Sequence, residues 1–208
     1  QLNAFVYEYE DLQATCSEPG SPVVVVCNTG TVDGQGVEGV WNYAFAENWS
    51  FGVGFSWFDS EGKGVQDFCA DGEEFLGDRN ACEGSPLPGI PEWTAYATLD
   101  GTIPLASGEL YGNLTGFWED DAPADWVPFT PETIAAGARE GGGYTEVQAL
   151  AGYRSPVGWS LALYVENLLD DEYYDFEGGV SSASSPYVQS DISPSRPRTA
   201  GVRFSWNL

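Results

Sequence analysis

The sequence predicts an all-β protein, an antiparallel barrel that crosses a membrane. Three observations carry this. Apolar and aromatic side chains recur at every second position in eight separate segments, the period of strands with one oily face. The connections between those segments alternate short and long, which gathers the tight turns at one end and the long loops at the other. The faces opposite the oily ones are small and polar (Ser, Gly, Thr, Asn), with no Lys in any of the eight expected strands. A soluble sandwich would instead hide Trp and Phe and show charged side chains on its solvated face.

The strands follow in order. Leu2 to Glu10 carries Phe5, Tyr7 and Tyr9 on one face. Thr31 to Phe45 carries Val37, Trp41, Tyr43 and Phe45. Trp49 to Phe58 sets Trp49, Phe51, Val53, Phe55 and Trp57 against Ser50, Gly52, Gly54 and Ser56. Trp93 to Ile103 sets Trp93, Ala95, Ala97, Leu99 and Ile103 against Thr94, Tyr96, Thr98, Asp100 and Thr102. Leu110 to Trp118 is weaker, with Leu110, Leu114 and Trp118 aligned. Tyr144 to Arg154 aligns Val147, Ala149, Ala151 and Tyr153. The stretch from Trp159 alternates as far as Glu166 and then turns acidic and aromatic through Tyr174. Val202 to Leu208 closes the chain with Val202, Phe204, Trp206 and Leu208 on one side. On this parity Glu8, Glu38, Glu166 and Arg203 point inward.

Tight turns are expected at 46–48, 106–108 and 155–158, and long loops at 11–30, 59–91, 119–143 and 168–197. Aromatics at strand ends, among them Trp41, Trp49, Trp57, Trp93, Trp118, Trp159 and Trp206, fit the girdles of a membrane interface. The chain holds 32 acidic residues against 7 basic ones, and 22 of the acids fall in the four long loops. That balance excludes nucleic acid as a partner, since phosphate contacts need clustered Lys and Arg. An acidic soluble domain from a salty habitat is the weakest of the readings that accommodate it.

There is no His, so imidazole catalysis and His-ligated metals are unavailable. No acidic pair can be placed at a defined glycosidase separation, and no enzyme is expected. Cys16 and Cys27, and Cys69 and Cys82, form two near-neighbour pairs without a metal or redox spacing, and two local disulfides in an oxidising compartment are the simplest reading; four free thiols are the alternative. No run of about 18 apolar residues is present, so no membrane helix is expected. The chain starts at Gln1 and contains no Met, as a processed chain or an excerpt would.

Five stretches then resemble the C-terminal part of TonB-dependent outer-membrane receptors. They are Leu2-Asn3-Ala4-Phe5-Val6-Tyr7-Glu8-Tyr9-Glu10-Asp11-Leu12-Gln13; Asn28-Thr29-Gly30 followed by Gly36-Val37-Glu38; Pro91-Glu92-Trp93-Thr94; Asn167-Leu168-Leu169-Asp170-Asp171-Glu172-Tyr173-Tyr174; and Arg196-Pro197-Arg198-Thr199 with Gly201 and the alternation to the end. No single motif is specific; five in order over nearly the whole chain are strong together. The ending Trp206-Asn207-Leu208 departs from the aromatic final residue common in the family. The resemblance implies that residues 1–208 are the last eight strands of a wide, 22-stranded barrel whose lumen is plugged, with the plug domain and the upstream strands supplied by the same or a partner chain. Small inward residues such as Gly52, Gly54, Ser56, Ser160 and Ala162 suit a wide interior better than a small one.

The function this implies is uptake of a scarce nutrient (a siderophore, cobalamin, a carbohydrate or similar) across the bacterial outer membrane, energised through TonB. A self-contained eight-stranded structural or adhesive barrel is the alternative. Partners would be the rest of the receptor, the TonB system reached through it, outer-membrane lipid and a small-molecule nutrient. Ligand-contact candidates are the aromatics in or beside long loops: Trp118, Trp126, Phe129 and Tyr187. No cofactor is expected. Ca²⁺, a hard cation that takes oxygen ligands, is the ion that Glu119-Asp120-Asp121 or Asp71-Glu73-Glu74 could hold, though solvated loop charge is the favoured reading of both.

Overall fold

A computed structural model describes residues 1–17, 24–28, 30–65, 78–123, 126, 140–180 and 189–206. Its strands are β1 (Leu2–Tyr9), β2 (Gln13–Ser17), β3 (Val24–Asn28), β4 (Thr31–Ala46), β5 (Trp49–Lys63), β6 (Trp93–Leu105), β7 (Gly108–Glu119), β8 (Ala122–Pro123), β9 (Glu140–Gly141), β10 (Tyr144–Arg154), β11 (Trp159–Glu166), β12 (Tyr174–Val180), β13 (Gln189–Pro194) and β14 (Thr199–Trp206). Eight of them form one antiparallel sheet in the order β1-β4-β5-β6-β7-β10-β11-β14. These are the eight alternating segments of the sequence.

The remaining six strands pair as hairpins, β2 with β3, β8 with β9 and β12 with β13, inside stretches expected to be plain loops. Their residues gave no sustained alternation, and hairpins this short are held by what they attach to. A 3₁₀ turn, Arg79–Cys82, is capped by Asp78, whose carboxylate accepts from the backbone N–H of Asn80 at 2.9 Å.

The register assigns every residue to a face, because directly paired residues share one. Trp57 pairs with Val37 and Trp93, Phe51 with Tyr43 and Leu99, and Leu161 with Tyr153 and Phe204. This face carries exposed Leu2, Val6, Trp41, Phe55, Leu114, Leu163, Val202 and Phe204. Large apolar side chains left open over a whole sheet face belong against lipid. On β5 the stretch from Trp49 to Trp57 is nine residues, matching the ~9–11 of a tilted membrane strand. β5 then continues five residues beyond its expected end, to Lys63. There the same face turns polar: Gln35 donates to Asp59 at 2.9 Å, and Lys63 pairs with Asp33. The change marks the outer edge of the bilayer.

One expectation is corrected here. Glu8 pairs with Asp33, on the outward face, while Glu38 pairs with Asn3 and Ser56, on the inward one. The outward residues of β1 are therefore Leu2, Ala4 and Val6, and the inward ones are Asn3, Phe5 and Tyr7. Both faces of β1 are apolar, so alternation alone could not orient it. Glu166 and Arg203 do lie inward, on the face of Ala162 and Ser160.

β1 and β14 are the two ends of the sheet and share no ladder. The sheet is thus an open wall of a larger barrel, and the reading as a self-contained eight-stranded barrel is overturned. Several of the inward glycines are covered. Rings from neighbouring strands lie over them: Tyr96 over Gly54, Tyr111 over Gly152 and Tyr164 over Gly201.

Two features tie the outer end together. Val32, Val65, Cys82 and Trp126 form a small buried core with Leu12, Ala81 and Leu87 against it. Trp126 packs on Gly62, an inward position paired with Val32, so this loop core folds toward the lumen. At the other side Asn167, 2% exposed, joins the end of β11 to the entry of β14. Its side chain donates to the carbonyls of Asp171 and Arg196, both at 2.9 Å, and accepts from the N–H of Asp171 at 3.0 Å. Asp171 in turn accepts from the N–H of Thr145 on β10, and Tyr173 stacks on Tyr144 at 3.8 Å. Asp170 and Asp171 thus serve the structure of this strand end.

Candidate functional site

The inward wall has its most distinctive chemistry where β1, β4, β5 and β6 meet below the outer loops. Phe5 and Tyr7 come from β1 and Phe58 from β5. The ring centroids are 5.9–6.4 Å apart and the planes within 12–25° of parallel. Tyr7 lies over Gly34 and Phe5 over Gly36; a Cβ built on either glycine would sit 2.5 Å from the ring's Cζ. Only glycine leaves room for a ring to lie flat on the sheet. Both rings rest on the same strand, so they spread side by side along β4, and Phe58 extends the surface from the opposite side of Gly36.

Next to this surface along the same strands lies a hollow of about 280 Å³, which the three rings do not themselves line. Asn3, Glu38, Ser56, Thr94 and Tyr96 line it, with Val40 at its lower side. These are the next inward positions on the same strands, one and two rungs down from Phe5, Gly36 and Phe58. Asn3 donates from Nδ2 to Glu38 Oε1 at 2.9 Å. Among the described residues the second oxygen of Glu38 takes no protein donor and is left for the hollow.

The inward positions of β1, β4, β5 and β6 include no Lys or Arg. Lys63 stands on the outward side above the Trp57 girdle, where its hydrogen bond and charge contact with Asp33 hold its ammonium above the ordinary value of 10.5. The inward cations lie elsewhere. Arg154, at the tight-turn end, pairs with Glu109 at 2.5 Å and covers the Tyr111 ring at 4.8 Å; Arg203, on β14, lies 5.6 Å from the Tyr164 ring. Asp100 accepts from Asn113 at 2.8 Å, and Glu146 accepts from Gln148 and from the hydroxyl of Tyr173. The wall around the hollow is neutral to acidic and rich in hydrogen-bonding groups, and the flat ring surface adjoins it along the strands.

The loop aromatics fall differently. Trp118 stands on the outward face, paired with Ala95 and Thr145, as a girdle residue. Trp126 is 7% exposed and is enclosed in the loop core. Phe129 and Tyr187 lie outside the described residues. Neither Trp118 nor Trp126 turns a ring toward the lumen hollow. Asp120 and Asp121 bond to local backbone, Asp120 to the N–H of Asp121 at 3.0 Å and Asp121 to that of Gly143. Asp71, Glu73 and Glu74 are outside the described residues.

Cys82 is buried and disulfide-bonded. Its expected partner, Cys69, lies outside the described residues. Cys16 and Cys27 fall on β2 and β3, two rungs apart in register, and their side chains are likewise outside them.

Phe5, Tyr7 and Phe58 are not among the ligand-contact candidates that the sequence offers. The available signal was Gly34-Gln35-Gly36 inside a strand, where glycine at alternate positions marks a place for flat rings from the next strand.

The comparisons agree with this architecture. A family model described as "TonB dependent receptor-like, beta-barrel" matches residues 1–168. The ferric yersiniabactin uptake receptor FyuA from Yersinia pestis is similar, with a TM-score of 0.71 and 21% identity over 98% of this chain and 27% of that one. The siderophore receptor PiuA from Acinetobacter baumannii follows at 0.64 and 18%, over 98% and 25%. The ferric citrate transporter FecA gives 0.64 and 15%, over 98% and 28%. The chain therefore spans about a quarter of each receptor's length, and at these identities the likeness speaks for the fold. No curated protein sequence matches. The matched family, the apolar outer face and the open eight-stranded wall lead to one conclusion: the chain belongs to the TonB dependent receptor-like β-barrel family, outer-membrane receptors and not enzymes.

Proposed function

We propose that residues 1–208 are the C-terminal barrel portion of an outer-membrane receptor that takes up a scarce nutrient against a gradient, energised through TonB. The observation that carries the reading is the pair of open edges on a lipid-facing sheet. Unpaired backbone N–H and C=O groups are costly in hydrocarbon, so β1 and β14 must each meet a further strand. A barrel wider than eight strands encloses a lumen; porins of about 16–18 strands leave theirs open, and it is the 22-stranded transporter type, which the family resemblance points to, whose lumen is plugged. The remaining strands and the plug would come from the rest of the same polypeptide or from a partner chain, and the TonB contact would be made there.

Two measurements test this. Intact mass of the native receptor should exceed that of this chain, or the chain should purify with a partner. Accumulation of the receptor's nutrient by cells should stop when an uncoupler collapses the proton gradient. A native 208-residue species purified alone, or accumulation that persists without the gradient, would overturn the reading.

A further inference from the structure

We infer that the flat aromatic surface of Phe5, Tyr7 and Phe58, with the hollow next to it around Glu38, is a lumen subsite for a neutral, polyhydroxylated ring, that is, one sugar unit of an oligosaccharide. The inference rests on the receptor reading above and names its substrate class.

Three observations select this occupant. The first is shape. The three rings lie nearly parallel, spread over Gly34 and Gly36. Such a surface matches the flat, C–H-bearing face of a pyranose ring. The second is the polar complement. Glu38 offers an unengaged carboxylate oxygen, Asn3 an amide carbonyl, and Ser56, Thr94 and Tyr96 hydroxyls. This set can both accept from and donate to sugar hydroxyls, which do the same. The third is charge. No Lys or Arg occupies an inward position on the four strands that build the site. An anionic metal chelate would meet Glu38 and the negative faces of three rings, with no cation from these four strands to offset them.

Size agrees. A hollow of about 280 Å³ lies at the foot of the ~300–1,000 Å³ range of small-molecule pockets, enough for one ring of a longer chain. The site also stands one rung below the loop core at Val32 and Gly62, just inside the outer mouth where a ligand arrives. The competing occupant is a segment of the plug.

The test uses the full receptor, purified in detergent, with binding followed by calorimetry. The probes are a panel of neutral gluco-, manno-, galacto- and xylo-oligosaccharides, with ferric citrate as the anionic comparison. At least one oligosaccharide should bind saturably, and ferric citrate should not. Phe5→Ala and Phe58→Ala should each weaken that binding about tenfold, as loss of a stacking ring does. Glu38→Gln keeps the shape of the side chain and removes only its charge, so it reports even where a ring truncation misfolds; it should weaken binding as well. Val6→Ala, outward on the same strand, should change nothing.

Ferric citrate binding that weakens in the same variants would overturn the inference. So would oligosaccharide binding indifferent to all three, which would assign the surface to the plug, and so would absence of binding across the panel. The receptor reading is judged separately. Gradient-dependent uptake without oligosaccharide binding would sink the subsite alone. Oligosaccharide binding with gradient-independent uptake would leave the subsite and sink the energised transport.

Discussion

Asn167 and Arg196 are 29 residues apart, yet Asn167 Nδ2 donates to the Arg196 carbonyl at 2.9 Å. Asn167 does this from a left-handed backbone conformation, φ 47°, which Asn tolerates better than most residues. The contact joins two stretches that looked in the sequence like separate motifs, Asn167 to Tyr174 and Arg196 to Thr199. Asp170 completes the join, meeting the Arg198 guanidinium at 3.1 Å and its backbone N–H at 3.2 Å.

Asn167→Ala should therefore do more than trim a side chain. It leaves the buried end of this knot without its donor and acceptor to the partly buried Asp171 backbone and the Arg196 carbonyl. An orphaned group costs up to ~1–3 kcal/mol where water cannot replace the partner. A total loss of about 2–4 kcal/mol is expected by tryptophan-monitored denaturation in detergent. Hydrogen exchange should rise first at the start of β14. A loss below about 0.5 kcal/mol would mean that the knot does not hold these strands.

Gly34→Ala places a methyl where the Tyr7 ring lies. Overpacking of this kind costs ~1–3 kcal/mol. The same change in a Tyr7→Ala background should cost much less, because the ring is gone. A double-mutant cycle measures the difference, and additive effects would show that the ring is not seated on the glycine.

Leu163 is 60% exposed at mid-strand on the outward face. Leu163→Lys should cost ~2–4 kcal/mol, the depth-dependent penalty for a cation against lipid. Thr98→Lys, on the inward face at a similar height, should be tolerated. Equal costs for the two, measured by unfolding in bilayers, would contradict the assignment of faces.

The Lys63–Asp33 pair predicts a pH effect of definite sign. Asp33 raises the Lys63 pKa above 10.5, so the pair's contribution is complete below that value and disappears as pH rises through the folded value. The pair is exposed and salt will weaken it. Asp33→Asn should return Lys63 to the ordinary range, read by NMR titration of its Nζ; an unchanged titration would show that the pair does not form in solution.

The loop core predicts a local phenotype. Trp126→Ala empties a site that Val32, Val65 and Cys82 enclose, at ~3–5 kcal/mol for a buried Trp. The outer loops should become protease-sensitive while the sheet survives. Mass mapping of unreduced peptides should also link Cys82 to Cys69; a link to either of the other cysteines would refute the local pairing.

What the sequence determined on its own was the set of strands. A period of two, sustained through residues such as Trp49, Phe51, Val53, Phe55 and Trp57, leaves little freedom. The tight turns and the lipid-facing character follow from the same pattern, because a residue's neighbours at ±2 are local information. Pairing is not local. Which face of β1 meets lipid depended on Phe5 standing opposite Gly36 rather than one residue away, and a slip of one residue exchanges the faces. The aromatic surface over Gly34 and Gly36, the hollow at Glu38, the burial of Trp126 and the open edges at β1 and β14 all arise from contacts between strands distant in the chain. Only the tertiary structure could decide them.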